Sequence, residues 1–261
     1  LDKWIISRVQ RVVLQVDSSM QCLRMREAIH CAFYTLQQDL QWYMRRRGNR
    51  CSDPKTRSII KYVLESIVKL MAPFAPHICE EIWEMFGREG FVSVAPYPSA
   101  DQSLIFEKDE IAEDLLKSLV CDTAEIIRVT GISPTRICYY TSPKWKWEIY
   151  LKALSALDSG VDPKSLVRAL MKDPEIRKRG GEAAKFINTI SSCVITLPKE
   201  ERKKILRNSG IDENAFIGEC AGFLSEYFKC KVEIQSADSP RYDPKGKAGQ
   251  ASPLRPAIYV E

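Results

Sequence analysis

The sequence predicts a mainly α protein, in which an antiparallel helix bundle is followed by a small α+β domain. In the first half, apolar residues recur at intervals of three and four, which is the period of an amphipathic helix. After residue 135, runs of β-branched and aromatic residues alternate with helical segments. We therefore expect a helical domain at 1–118, the end of a bridging helix and a linker at 119–134, and an α+β domain at 135–261.

Apolar spacing and the positions of proline and glycine define the helices of the bundle. The first begins at the N-terminus, and the second spans about 24–47 and stops at Gly48. Asp53, followed by proline, is typical of an N-cap and begins the third helix. Pro73 and Pro76 interrupt that helix because proline cannot donate to the preceding turn, and Pro76 begins the fourth. A fifth helix, at about 108–129, leads into the second half.

The second half combines the residue patterns of strands and of helices. Strands are predicted at 136–141, 231–235 and 257–260. Between them lie helices at roughly 145–156, 163–172, 175–191, 198–208 and 212–228. Residues 238–256, rich in proline, glycine and lysine, predict a mobile basic loop.

The composition is that of a globular protein, with 45% hydrophobic and 28% charged residues. No run approaches the length of a membrane span and there is no secretory pattern, so we expect a cytoplasmic protein without membrane contact. Because the chain begins with leucine inside a helical pattern, we expect a fragment of a longer protein. The net charge of +5 lies in residues 119–261, with 23 basic and 18 acidic residues against 16 of each before them, and suits an anionic partner.

The chain has nine cysteines, without any C-x-x-C pair, and only two histidines. Most of the cysteines fall on apolar faces of predicted elements. This pattern predicts buried free thiols in a reducing compartment, and neither disulfides nor a metal site.

Four segments carry a resemblance to a known family. They are Leu1-Asp-Lys-Trp4, Asp39-Leu-Gln-Trp-Tyr-Met-Arg-Arg-Arg47, Met71-Ala-Pro-Phe-Ala-Pro-His-Ile-Cys-Glu-Glu-Ile-Trp83 and Pro253-Leu-Arg-Pro-Ala-Ile-Tyr-Val-Glu261. Together they resemble the C-terminal part of leucyl-tRNA synthetases of the archaeal and eukaryotic cytosolic type, which are class I aminoacyl-tRNA synthetases. The double-proline segment alone would equally fit valyl or isoleucyl relatives. The resemblance implies a helical domain of the anticodon-binding type followed by a C-terminal tRNA-binding domain.

The resemblance implies that tRNA-Leu is the partner, together with catalytic and editing domains that are absent from this sequence. Such enzymes activate leucine with ATP and Mg²⁺ through His-x-Gly-His and Lys-Met-Ser-Lys-Ser type motifs. Neither motif occurs here. The resemblance implies that the chain is part of a leucine–tRNA ligase, and we therefore expect the chain alone to be inactive and to hold neither cofactor nor metal. We also expect a monomer.

The first candidate tRNA-binding group lies where the second helix ends and the third begins: Arg45, Arg46, Arg47, Arg50, Lys55 and Arg57. Such a cluster would neutralise phosphates. It could instead complement the negative end of the helix dipole, and Arg46 or Arg47 could pair with Asp39 or Glu81.

The second half supplies further candidates. Lys144 and Lys146 alternate with tryptophans, which fits RNA contact and helix-start packing equally well. The run Arg177-Lys-Arg179 is typical of a solvated face. By resemblance, the end of the chain reads the long variable arm of tRNA-Leu, and its candidate residues are Arg241, Lys245, Lys247, Arg255, Pro256, Ile258 and Tyr259.

Structural roles are expected for the aromatic and proline residues of the bundle. These are Trp42, Pro73, Pro76, His77 and Trp83. Three other functions stay open: a stand-alone RNA-binding module, a protein-interaction scaffold in a synthetase complex, and a valyl or isoleucyl relative that binds a tRNA without a long variable arm.

Overall fold

A computed structural model describes residues 1–48, 52–162 and 165–261 and divides the chain into two units, Leu1–Glu110 and Ile111–Glu261. The division falls inside the long helix that the sequence predicted as a bridge, which spans Glu107–Thr130. The finer domain limits at residues 118 and 135 stay predictions.

The first unit is the predicted helix bundle, and its fold class is confirmed. Its helices are α1 (Asp2–Gln21), α2 (Met25–Ile29), α3 (Leu36–Arg47), α4 (Pro54–Met71), α5 (Pro76–Met85) and the start of α6 (Glu107–Thr130). The predicted helix at 24–47 is therefore one run of α2 and α3, but it contains a π-helical segment at His30–Thr35. A π segment needs one extra residue in a turn, and the period of apolar residues gave no sign of it.

The core of the bundle forms where α1, α3 and α4 turn their apolar faces toward one another. Trp4, Ile5 and Val16 of α1 are fully buried beside Leu36 and Tyr43. The predicted cap of α4 is present, since Asp53 accepts a hydrogen bond from the backbone N–H of Thr56 at 3.1 Å. This bond satisfies one of the unpaired N–H groups of the first turn.

The second unit contains a three-stranded sheet in the order β2-β1-β3. The strands are β1 (Arg136–Thr141), β2 (Lys231–Ser236) and β3 (Ala257–Val260), which confirms the three predicted strands. β1 lies at the centre, parallel to β2 and antiparallel to β3. Residues 137–141 are buried throughout, as expected of a central strand covered on both faces.

Seven helices of the second unit lie between β1 and β2 among the described residues. They are α7 (Lys144–Asp158), α8 (Leu166–Leu170), α9 (Pro174–Lys178), α10 (Gly180–Thr196), α11 (Lys199–Arg207), α12 (Glu213–Glu219) and α13 (Ala221–Phe228). Two predicted helices are thus wrong in extent. The helix at 175–191 is divided at Arg179, next to Gly180, whose φ of 55° is left-handed. The helix at 212–228 is divided at Cys220.

The cysteines are less uniformly buried than expected. Cys31, Cys79, Cys138 and Cys220 are buried, but three others are exposed: Cys22, Cys121 and Cys193. Within residues 1–48, 52–162 and 165–261, no group of three or more metal-ligating side chains is placed to hold an ion. In the same residues, no helix combines the length and the apolarity that crossing a bilayer requires.

A truncation in the helical core of the second unit tests this packing. Leu154 of α7 is fully buried, so replacing it with alanine leaves a cavity and should lower the free energy of unfolding by about 2–5 kcal/mol. Val129→Ala, at a side chain that is 70% exposed, should change it by less than about 0.5 kcal/mol. Urea unfolding followed by circular dichroism measures both, and equal unfolding midpoints would contradict the burial of Leu154.

Candidate nucleic-acid interface

The basic corner of the first unit, defined by Arg45–Arg47, Lys55 and Arg57, is organised around a carboxylate. Asp2, in the first turn of α1, accepts hydrogen bonds from the Tyr43 hydroxyl at 2.9 Å and from the Arg47 guanidinium. The Lys55 ammonium lies 3.0 Å from its other oxygen. The Arg47 guanidinium also covers the Tyr43 ring at 5.4 Å. The charge of Arg47 is therefore largely used inside the protein.

The ion pair that Arg47 forms is with a carboxylate that the sequence did not suggest. Asp39 pairs with Arg8 of α1 at 2.7 Å and is buried, while Arg47 pairs with Asp2. Asp2 and Arg47 are 45 residues apart in sequence, so local spacing gave no signal for the pair.

The remaining members of the corner differ in exposure. Arg45 and Arg57 are exposed and Arg46 is half-buried. The Lys55 side chain keeps 75% of its surface exposed despite its ion pair. Arg50 lies outside the described residues. Arg45, Lys55 and Arg57 are therefore the side chains of this corner that present most surface to a polyanion.

The residues expected to have structural roles also differ in exposure. Trp83 is 7% exposed, and Trp42 packs half-buried against the bundle core. Pro76 occupies the first turn of α5, as expected, and Pro73 is exposed just before it. His77, however, is exposed, so a packing role for its side chain is wrong.

In the second unit, Lys146 is a buried cation that holds a loop. Its side chain is 7% exposed, and its ammonium donates to the backbone carbonyls of Gly249 at 2.7 Å and Ala251 at 2.6 Å. Burial lowers the pKa of Lys146 below its ordinary value. Lys146 is therefore enclosed and bound to the loop, as expected of helix-start packing, whereas Lys144 beside it is exposed.

The segment between β2 and β3 is held by further hydrogen bonds to its backbone. The two carboxylate oxygens of Asp243 accept from the N–H groups of Lys247 at 2.7 Å and Ala248 at 3.0 Å. The side-chain oxygen of Gln235 accepts from the N–H of Arg241 at 2.7 Å. These bonds fix much of a segment whose composition predicted mobility, and they leave the Arg241 side chain exposed.

A buried acid positions the turn that carries Arg255. Glu213, in the first turn of α12, is 3% exposed and accepts from the N–H groups of Leu254 at 2.5 Å and Ser142 at 3.0 Å. Burial is the main cause that raises the pKa of Glu213, to about 7. Leu254 has a φ of 59°, and the backbones of Ser252 and Arg255 exchange hydrogen bonds across this turn. The turn holds Arg255 at the surface.

Strand β3 offers its backbone at the edge of the sheet. The backbones of Arg136 and Glu261 exchange hydrogen bonds at 3.1 and 3.0 Å, and Tyr259 lies opposite Cys138 two residues along. Because the pattern alternates in an antiparallel pair, the N–H and C=O of Ile258 point away from β1, toward the outer edge. Its side chain is half-buried.

Not every predicted residue of the tail is a surface contact. Tyr259 and Pro256 are buried, and Tyr259 belongs to the apolar cluster formed with Cys138, Tyr140 and Ala248. An RNA contact through these two side chains is therefore wrong. Lys245 is exposed and its ammonium covers the Tyr259 ring at 5.9 Å, while Lys247 is half-buried.

Sequence reasoning missed Asp2 and Glu213 as organising residues. Each lies in the first turn of a helix, where an acidic residue is favoured by the helix dipole and attracts no further notice. Their hydrogen-bond partners are distant in the chain, so only the folded structure identifies them.

Arg47 and Arg57, two cations of the corner, should differ in how much they stabilise the fold. Arg47→Gln should lower the free energy of unfolding by about 1–2 kcal/mol, since it removes a charged hydrogen bond to a largely buried carboxylate. Arg57→Gln, at an exposed side chain, should leave stability within about 0.5 kcal/mol. Urea unfolding of the two variants measures this difference, and equal losses would refute the structural role of Arg47.

Glu213 should make stability depend on pH. Its pKa rises from 4.5 to about 7 on folding, so the folded chain binds the extra proton and loses stability as pH rises between these values. Glu213→Gln should remove this part of the pH dependence, whereas Glu219→Gln, an exposed residue of the same helix, should keep it. Urea midpoints measured from pH 4.5 to 8 test this expectation; parallel curves for wild type and Glu213→Gln would exclude it.

Comparison with known proteins places this architecture in a family. The model of the anticodon-binding domain of tRNA ligases matches residues 2–136, slightly more than half of the chain. Similar curated proteins include the leucine–tRNA ligases of Methanococcoides burtonii, 41% identical over 264 residues, and of Pyrococcus abyssi, 39% identical over 262 residues.

Both matches cover the whole of this chain but only 26% and 25% of the respective relatives. The chain thus spans about a quarter of the length of the proteins it matches. The bundle class and the resemblance read from the four sequence segments are confirmed by these matches. The chain belongs to the family of anticodon-binding domains of tRNA ligases.

Proposed function

We propose that this chain is the tRNA-binding portion of a leucyl-tRNA synthetase, and that it holds tRNA-Leu for leucylation in a catalytic domain elsewhere in the protein. The observation that carries the proposal is the similarity of about 40% identity to leucine–tRNA ligases, which extends over all residues of both units. This similarity favours a leucyl enzyme over a valyl or isoleucyl one.

The proposed role of the bundle is electrostatic. Arg45, Lys55 and Arg57 would contact phosphates of the tRNA stem, which releases counterions and makes affinity fall with salt. Asp2 keeps part of this charge neutralised, and this limits the affinity of the corner for any polyanion.

The proposed role of the second unit is selective. Arg255, on the turn held by Glu213, and the outward backbone of Ile258 lie next to each other in the chain at the edge of the sheet. Backbone donors and acceptors at an edge can pair with the base edges of unpaired nucleotides. We propose that this tail, residues Arg255–Glu261, reads the long variable arm of tRNA-Leu.

The chemistry is proposed to lie outside this sequence. ATP and Mg²⁺ would bind the catalytic domain of the whole protein, and the chain contributes by placing the tRNA, whose misplacement by about 1 Å can slow a reaction greatly. A cytoplasmic location and a monomeric state belong to the same proposal.

The rival function is a protein-interaction scaffold or a stand-alone RNA-binding module. A scaffold predicts weak RNA binding without steep salt dependence. A stand-alone RNA-binding module predicts no preference for tRNAs with a long variable arm. Equilibrium binding of this chain to tRNA-Leu and to a tRNA with a short variable loop distinguishes all three functions.

A single substitution in the tail provides the sharpest test. Arg255→Gln should weaken binding of tRNA-Leu about fivefold or more and leave the short-loop tRNA nearly unchanged, because the lost contact is to the variable arm. Arg57→Gln should weaken both tRNAs about equally and reduce the salt slope. Fluorescence anisotropy with labelled tRNAs measures these affinities.

If Arg255→Gln lowered the affinities for both tRNAs equally, this would contradict the proposal that the tail reads the variable arm. Deletion of the tail is a poorer test, since it removes β3, which is paired along β1.

A further inference from the structure

A cleft of about 710 Å³ opens in the second unit, and no residue of β3 lines it. One wall is formed by the start of α7 and by α10, and the other by the loop residues Ala237–Asp238 and Ala248–Ser252. This volume lies in the range of clefts that hold small ligands. Ser252, which pairs with Arg255 across its turn, belongs to the lining, whereas Arg255 itself and the residues of the basic corner do not.

Aromatic and guanidinium groups line the helical wall of the cleft. The Arg179 guanidinium lies over the Trp145 ring at 4.8 Å. The Trp145 ring meets Phe186 edge-on at 5.6 Å between centroids. Arg179 is exposed and Trp145 is half-buried, so a planar group can stack on this pair. Unpaired bases stack on aromatic rings and on guanidinium planes in this way.

The floor of the cleft supplies a hydrogen-bond donor. Lys146 lines the cleft, and two of the three N–H groups of its ammonium are used by the carbonyls of Gly249 and Ala251. The third can serve an acceptor on a bound molecule. Gly249 forms part of the opposite wall without a side chain, which leaves room beside the donor.

Charged groups of both signs line the cleft. Arg179 and Lys185 lie at the rim, but so do the carboxylates of Glu182 and Asp238. With the ammonium of Lys146, the lining holds three cations and two carboxylates, so it offers both donors and acceptors. A nucleobase matches such a lining, because it has a planar ring and both donors and acceptors at its edges.

We propose that this cleft, formed by Trp145, Lys146, Arg179, Phe186 and the loop at 248–252, binds one unpaired nucleobase of an RNA strand. The base stacks on the Arg179–Trp145 pair and accepts a hydrogen bond from Lys146. This site is separate from the tail, and it rests on the proposed function in that the ligand is RNA.

The test compares two oligomers of equal charge. A labelled 12-nucleotide oligoadenylate and an abasic ribose-phosphate oligomer of the same length are titrated with this chain, and fluorescence anisotropy gives the affinities. Because stacking contributes about 1–3 kcal/mol per base, the oligoadenylate should bind roughly five- to a hundredfold more tightly. Equal affinities would overturn the proposal.

Matched variants then assign the difference to the cleft. Arg179→Gln should lower oligoadenylate affinity toward that of the abasic oligomer, while Arg177→Gln, an exposed arginine outside the cleft, should leave the difference intact. Trp145→Leu should act like Arg179→Gln and Trp145→Phe should restore binding, with thermal melting to verify that each variant folds. Equal effects of Arg177→Gln and Arg179→Gln would refute the site.

A tRNA titration keeps the two proposals distinguishable. If Arg179→Gln has no selective effect on oligoadenylate but the chain still prefers tRNA-Leu to the short-loop tRNA, the cleft assignment is wrong and the proposed function stands. If neither tRNA nor oligoadenylate binds, both are wrong.

Discussion

The segment between β2 and β3 depends on two buried ionisable side chains, Lys146 and Glu213. Lys146, in α7, donates hydrogen bonds to the carbonyls of Gly249 and Ala251. Glu213, in α12, accepts a hydrogen bond from the N–H of Leu254. A buried polar or charged group is costly unless it is hydrogen-bonded, so both side chains favour the course of the loop in which its backbone completes their hydrogen bonds. The loop in turn places the turn of Arg255 and one wall of the cleft. A segment without long regular elements is thereby given a defined course.

A carboxylate also organises the basic residues of the bundle, and it lowers the positive charge that they offer to a ligand. Asp2 draws Arg47 and Lys55 together and accepts a bond from Tyr43, so part of the positive charge at this corner stabilises the fold. Clustered arginines at a helix end therefore overstate the charge available to RNA. Exposure is the better criterion, and it favours Arg57 and Lys55 over Arg47.

The sequence predicted the elements whose signal is local. The strands at 136–141 and 257–260 and the proline start of α5 follow from residue type and spacing alone. It did not predict the hydrogen bonds between residues that are distant in the chain. Lys146 lies about 100 residues before its carbonyl partners, and Glu213 lies 41 residues before Leu254. Alternation with tryptophans made Lys146 resemble a surface cation, although its stem and ammonium are enclosed. Residue type and spacing were therefore enough to nominate exposed cations such as Arg255, but not to identify the buried residues that position them.

The shared loop has a consequence for how the two parts of the second unit act on RNA. Gly249 contributes to a wall of the cleft, and the same stretch runs on through Leu254 to Arg255 and β3. A base held against Lys146 would add contacts to the loop and reduce its conformational entropy. The tail would then lose less entropy when it binds RNA. Occupation of the cleft and reading by the tail should therefore favour one another, through the backbone that Lys146 and Glu213 already hold.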